Sequence, residues 1–231
     1  MSILDTADFK DIRSGSAASQ ADSGKSGRAF YRRFGKRAAD IVLCLTLLPV
    51  IAPVILMLWL FVRRDGGPGF FGHRRIGQNG KVFRCWKIRT MVVDAETKLR
   101  DHLAKNPAAA EEWERDRKLE NDPRITKLGN FLRKSSLDEL PQIWNVLRGD
   151  MSFVGPRPIV RSEMNKYGVY RNAYKTMKPG ITGLWQVSGR NDISYDERIG
   201  LDLEYMQTVS FFKDLELVAK TGTAVLSRTG K

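Results

Sequence analysis

Ile41-Val42-Leu43-Cys44-Leu45-Thr46-Leu47-Leu48-Pro49-Val50-Ile51-Ala52-Pro53-Val54-Ile55-Leu56-Met57-Leu58-Trp59-Leu60-Phe61-Val62 is a run of 22 residues without a charge. As a straight helix it reaches about 33 Å, enough to cross a bilayer core of about 30 Å. Two features argue against a simple span. Pro49 and Pro53 fall inside it, and each removes an amide donor and bends a helix. The flanks are basic on both sides, with Arg32, Arg33, Lys36 and Arg37 before and Arg63, Arg64, Arg74 and Arg75 after. Positive flanks prefer the cytoplasmic side, so equal flanks suit a segment that enters and leaves by one face. The run therefore reads as a re-entrant helix-break-helix. A proline-kinked span is the alternative, because membrane helices tolerate proline when the freed backbone groups find other partners.

The rest of the composition agrees with a membrane-surface protein that handles anions. Lys and Arg exceed Asp and Glu by 39 − 26 = 13, which attracts headgroups, nucleotide phosphates or nucleic acid. Cys44 and Cys85 are the two cysteines; they are far apart in the chain and suggest no disulfide framework, so a reducing side is expected. His73 and His102 are the two histidines, and no His/Cys cluster has zinc-site spacing. Any metal should be a hard cation held by carboxylates and phosphates, Mg²⁺ first. Residues 1–29 are rich in Ser, Ala, Gly and Asp and read as a disordered tail, with too little apolar surface to repay ordering.

Downstream, Gly66-Gly67-Pro68-Gly69 is a loop, and Phe70 to Met91 holds short β-like pieces around a turn at Asn79-Gly80. Ala95 to Glu120 reads as two charged helices broken at Asn106-Pro107. Leu128, Phe131 and Leu132 form an apolar helical stripe, and the following helix should stop near Gly149. Further helices are expected near Ile159–Tyr167 and Arg171–Met177, after a capping box at Ser194–Glu197, and over Phe211–Leu226.

The chemistry centres on Ser136-Leu137-Asp138-Glu139-Leu140-Pro141-Gln142. Pro141 is comfortable only in a first helical turn, which puts Asp138 and Glu139 at or just before a helix start. Adjacent helical residues point about 100° apart, so the two carboxylates suit different jobs: one to attack phosphorus, one to hold Mg²⁺. The plain alternative is that Ser136 and Glu139 form a capping box. Arg133 lies one turn before the pair, and Gly155-Pro156-Arg157-Pro158 sets an arginine in a stiff loop suited to clamping phosphate.

Four blocks occur in order: Lys87-Ile88-Arg89-Thr90-Met91, Ser136 to Gln142, Met151-Ser152-Phe153-Val154-Gly155-Pro156-Arg157-Pro158, and Pro179-Gly180-Ile181-Thr182-Gly183-Leu184-Trp185-Gln186-Val187-Ser188-Gly189-Arg190. On these motifs the chain resembles the bacterial sugar transferases, the monotopic phosphoglycosyl transferases, from about Phe34 onward. Gly72 to Gly77 and Ser188 to Asp192 make it most similar to the members that move galactose phosphate onto undecaprenyl phosphate. The resemblance implies a mainly α fold with a small β element. Residues 1–29 would be the tail, 30–65 the re-entrant membrane hairpin and 66–231 a compact cytosolic transferase domain at the bacterial inner membrane. It implies Asp138 as nucleophile on the β-phosphate of a UDP-sugar, with UMP expelled and undecaprenyl phosphate as acceptor. Glu139 would bind Mg²⁺, and Arg133 and Arg157 would hold phosphates, with Lys87, Arg89, Gln186 and Arg190 at the rim. Many members break the membrane helix at Ser-Pro; here Leu48 precedes Pro49.

Competing readings are weaker. A CDP-alcohol phosphotransferase needs several spans, and this chain has one apolar run. A membrane-anchored interaction protein without catalysis would explain the run but not the retained Asp138, Glu139 and Arg157. A nucleic-acid partner is suggested only by charge, with no recognition motif beside it. The sequence leaves open whether the sugar is galactose or glucose and whether the chain forms a homo-oligomer.

Overall fold

The computed structural model describes residues 27–188 and 193–226. Residues 1–26 of the expected tail lie outside the described residues, and residues 27–29 are helical.

A helical segment, Gly27–Asp65, is long and apolar enough to cross a membrane. Its α-helical body, α1, is Lys36–Val62. The expected break is not there: the helix continues through Pro49 and Pro53. Tertiary packing explains the continuity. Leu47, Leu48, Ile51 and Ile55 lie against a cluster containing Cys44, Phe83, Cys85, Ile143, Val146 and Met151, which supports the turns on both sides of the prolines.

Both ends of α1 dock on the same body. At the start, Arg37 donates to the carbonyls of Val146 and Leu147 at 2.5 and 2.7 Å, and the Asp40 carboxylate accepts from Ser152 Oγ and the Phe153 amide. At the end, Leu58 and Val62 pack with Ile88 and Leu132, and Arg89 donates to the Val62 carbonyl. The opposite face, with Val42, Leu45, Val50, Leu56 and Leu60, is exposed and apolar. A helix apolar on both faces, with one face on protein, suits a lipid-facing position.

Strands β1 (Phe70–Ile76) and β2 (Val82–Ile88) form an antiparallel hairpin. Its turn carries Asn79 and Gly80 at positive φ, as an Asn-Gly hairpin turn requires. Helices α2 (Ala95–Lys105) and α3 (Pro107–Asp116) separate at Asn106, with Pro107 in the first turn. Helix α4 (Lys127–Lys134) is capped by Thr126, whose hydroxyl accepts from the Gly129 amide at 2.8 Å. Helix α5 (Gln142–Arg148) ends at Gly149 with φ 84°.

Strands β3 (Ser152–Val154) and β4 (Gly180–Thr182) pair in parallel, an element the sequence patterns did not announce. Gly155 and Gly180 make it possible, because a Cβ on either would collide with the other's backbone. Between them, the helix expected near Ile159–Tyr167 is a 3₁₀ stretch, Arg161–Tyr170, followed by α6 (Arg171–Lys175). Helix α7 (Leu184–Ser188) follows β4. Helix α8 (Tyr195–Thr208) opens on the expected capping box, with the Ser194 amide 2.7 Å from Glu197 Oε2 and the Glu197 amide 3.2 Å from Ser194 Oγ. Helix α9 (Phe211–Leu226) returns to the start of the chain, where Asp214 accepts from Lys36 and Tyr31.

Candidate active site

Pro141 sits at the N-cap of α5, and a 3₁₀ turn, Leu137–Glu139, precedes it. The proline therefore places both carboxylates just ahead of the helix, as the sequence required. The alternative capping box does not form: Ser136 is left-handed, with φ 56°, and its side chain makes no cap bond. The Glu139 carboxylate is engaged elsewhere. Lys87 on β2 reaches both acids, with Nζ 2.7 Å from Glu139 Oε1 and 3.3 Å from Asp138 Oδ2.

The two acids are unequally placed. The Asp138 side chain is 9% exposed and that of Glu139 34%. Burial pushes the Asp138 carboxyl above its ordinary range, with Lys87 opposing and Glu139 adding to the rise. Burial pulls on the Lys87 ammonium too, but Glu139 and Asp138 together hold it above its usual value. The result is a nearly buried carboxylate held by an ammonium beside a more open carboxylate.

These groups line a cavity of about 800 Å³ shared with Arg133, His73 and Arg75. Arg133 donates Nε to Thr90 Oγ1 at 2.9 Å, which orients the guanidinium. His73 and Arg75 were not anticipated. They join because β1 pairs antiparallel with β2: Phe71 faces Lys87 and His73 faces Cys85, and Arg75 follows His73 on the same face. Period-2 alternation through Phe71, His73 and Arg75 is the signal that would have found them. Arg75 Nη2 lies 3.1 Å from His73 Nδ1. Burial, then Arg75 and Lys87, pull the His73 pKa down and favour the neutral ring.

The other expected rim residues fare differently. Arg89 lines the cavity, yet its guanidinium donates to Pro68, Met91 and Val62 carbonyls and pairs with Asp65 at 2.5 Å. Those bonds tie the loop after α1 to the hairpin. Arg157 and Gln186 are absent from the cavity lining. Gln186 donates to the Ile181 carbonyl, and Arg157 lies over the Trp185 ring, 5.3 Å from its centroid. Arg190 lies outside the described residues.

The profile of the bacterial sugar transferase family matches residues 31–228. The chain belongs to that family. It is 50% identical over 198 residues to an undecaprenyl-phosphate galactose phosphotransferase of Salmonella typhimurium, covering 86% of this chain and 42% of that protein. It is 48% identical over 195 residues to the exopolysaccharide production protein ExoY of Sinorhizobium fredii, covering 84% of this chain and 86% of that one. A UDP-glucose:undecaprenyl-phosphate glucose-1-phosphate transferase of Escherichia coli is 38% identical over 198 residues, covering 82% of this chain and 39% of its own length. The chain thus spans less than half the length of the first and third of these relatives.

Proposed function

We propose that this chain transfers a sugar-1-phosphate from a UDP-sugar to undecaprenyl phosphate, the opening step of exopolysaccharide repeat-unit assembly. The observation that carries the reading is the buried Asp138 carboxylate, held by Lys87 in a cavity with Arg133 and Arg75 on its wall. A carboxylate oxygen of Asp138 attacks the β-phosphorus. The bond from that phosphorus to the bridging oxygen breaks, and UMP leaves with the electron pair. An oxygen of the lipid phosphate then attacks the same phosphorus and releases the Asp138 carboxylate, giving the lipid diphospho-sugar. Two sequential displacements let two anionic substrates use one site in turn. The cations Lys87, Arg133 and Arg75 offset charge on the transferring group.

Mg²⁺ fits the site in kind. Glu139 is a hard oxygen ligand open to the cavity, and no group of three or more metal-ligating side chains occurs among the described residues. A carboxylate such as Glu139 suits an ion shared with substrate phosphates. Bound there, Mg²⁺ would offset diphosphate charge.

The membrane arrangement we infer is an unbroken helix lying in one leaflet, with both ends on the cytosolic face. Its support is that Arg37 and Val62, near the two ends of α1, both contact the same body, while the outer face is apolar and exposed. Cysteines placed at residue 30 and residue 65 should both react from the cytosolic side. Labelling of residue 30 from outside would refute the arrangement.

The deciding experiment is UMP release by the purified chain in lipid, with Mg²⁺ and undecaprenyl phosphate, across UDP-galactose, UDP-glucose and the N-acetylated UDP-sugars. Lipid-dependent release is expected with UDP-galactose, the donor suggested by the 50% identical relative; release with UDP-glucose alone would reassign the sugar. No release with any donor from folded protein would favour an anchored interaction protein.

A further inference from the structure

A second cavity, of about 280 Å³, opens at the start of α1. Arg32, Arg33, Lys36, Arg37 and Lys178 line it, and it shares no lining residue with the Asp138 cavity. Asp40 is the one carboxylate on its wall among the described residues, and Ser152 Oγ and the Phe153 amide already donate to it. Two of the five cations are also bound. Lys36 donates to Asp214 at 2.6 Å and to Tyr205 at 2.9 Å, and Arg37 fills the Val146 and Leu147 carbonyls at the end of α5. Arg32, Arg33 and Lys178 make no ion pair or side-chain hydrogen bond among the described residues.

Like charges are therefore gathered here without an acid to balance them. Lys178 Nζ and the Arg37 guanidinium converge on Gly149: a Cβ there would lie 3.4 Å from the first and 3.6 Å from the second. Burial, and then the Arg37 charge, pull the Lys178 ammonium below its usual range. Holding like charges together costs stability, and an anion placed between them offsets that cost.

The surroundings say which anion reaches this place. Phe30, Phe34, Phe211 and Phe212 stand exposed around the same end of α1. Phe30 meets Phe34, Tyr31 meets Phe211, and Phe211 meets Phe212, with ring centroids 5.8, 6.0 and 5.7 Å apart. Beyond them, Val42 and Leu45 continue the exposed apolar face of α1. Exposed aromatics and an apolar helix face beside a basic pocket suit the headgroup level of an anionic leaflet. The volume agrees. It falls below the roughly 300–1,000 Å³ of pockets that enclose a whole small molecule, and it suits a headgroup whose tails stay outside.

We propose that this cavity binds the phosphodiester headgroup of an anionic phospholipid, with half-buried Lys178 inside and exposed Arg32 and Arg33 at the rim. The bound lipid is neither substrate nor product; it fixes the start of α1 at the membrane surface. Such a site needs the membrane placement inferred above and none of the transferase chemistry. Cysteine labelling tests that placement separately.

The test follows the thermal transition of the full chain in a neutral detergent as short-chain lipids are added. Dioctanoyl phosphatidylglycerol should raise the transition, and dioctanoyl phosphatidylcholine should not. Equal shifts from both would mean binding through the tails, and inorganic phosphate acting at the same concentration would mean a site for the free ion. Either result overturns the headgroup site. Lys178→Gln should weaken phosphatidylglycerol binding about fivefold, the effect of one lost cation near a membrane surface. Arg32→Gln combined with Arg33→Gln should do at least as much, and these exposed positions carry the test if Lys178→Gln does not fold. Affinity unchanged in every folded variant of these three residues overturns the pocket. Arg63→Gln with Arg64→Gln removes two exposed charges at the other end of α1 and should leave the affinity unchanged. An equal loss there would mean diffuse attraction to a basic surface and no pocket. Arg133→Gln should leave it unchanged too, and a loss would put the lipid in the Asp138 cavity and overturn a separate site. None of these readings needs turnover, so failure of the enzyme with every donor sinks the transferase reading alone.

Discussion

Around Asp138 an ammonium bridges two carboxylates; around Trp185 two guanidinium groups share a ring, with neither ion-paired among the described residues. Both places use the same chemistry of fixed cations, but their balance before substrate differs. The first sets one ammonium against two carboxylates, which opposes the burial that raises the Asp138 carboxyl. The second gathers like charges and, among the described residues, buried donors without a hydrogen-bond partner, which costs stability.

The largest expected effect breaks the first place alone. Asp138→Asn removes the oxygen we propose as nucleophile while keeping shape, and Lys87 retains Glu139 as partner. Transfer should fall by roughly 10⁴-fold or more, as when a nucleophile is deleted, with the thermal transition of the chain preserved. UMP release at a near wild-type rate would remove Asp138 from the chemistry.

Lys87→Gln comes next and asks what the ammonium does. Lys87 opposes the burial that raises the Asp138 carboxyl. Without it, that carboxyl rises further, so the acid limb of the pH–rate profile should move to higher pH. At neutral pH a loss of about 10²-fold is expected, typical of one lost electrostatic partner. An unmoved acid limb would show that Lys87 positions substrate and does not tune Asp138.

Arg157→Lys should cost less, about tenfold, because charge is kept and only the fork and the stacking on Trp185 are lost. The acid limb should stay where it is, since this change reaches the second place and not the first. A shifted limb would mean that the two places are one site.

The first place was far more legible in the sequence than the second, and the reason is range. Asp138 and Glu139 are placed by Pro141, a neighbour in the chain. The helix limits at Asn106, Gly149 and Ser194 are also local, set by a proline, a left-handed glycine and a capping box. By contrast, His73 and Arg75 enter the cavity through strand register, and β3 meets β4 across a chain separation that three-residue strands do not advertise. The bonds of Arg89 to Val62, Asp65 and Pro68 likewise come from a stretch more than twenty residues upstream. Arg157 stood in the right motif, but its stacking partner is supplied by α7 and its neighbour by α8. The unbroken α1 is the same lesson from packing: prolines lower helix preference, and a buried face restored it.

The smallest expected effect is in stability and concerns Asp202. Its carboxyl sits at about 7 in the folded chain, raised by burial against the pull of Tyr167, Arg157 and Arg198, while an unfolded aspartate titrates near 3.9. A raised folded pKa contributes stability that is fully present below the unfolded value and is lost as pH rises through the folded one. The chain should therefore lose thermal stability between about pH 4 and pH 7 from this group, as the buried carboxyl is forced to ionise. Asp202→Asn keeps an oxygen for the Tyr167 hydroxyl, which donates to Asp202 Oδ2 at 2.8 Å, and has no proton to lose. Melting curves of the variant should be flatter than wild type across that window. Parallel slopes in wild type and variant would place Asp202 among ordinary ionised carboxylates.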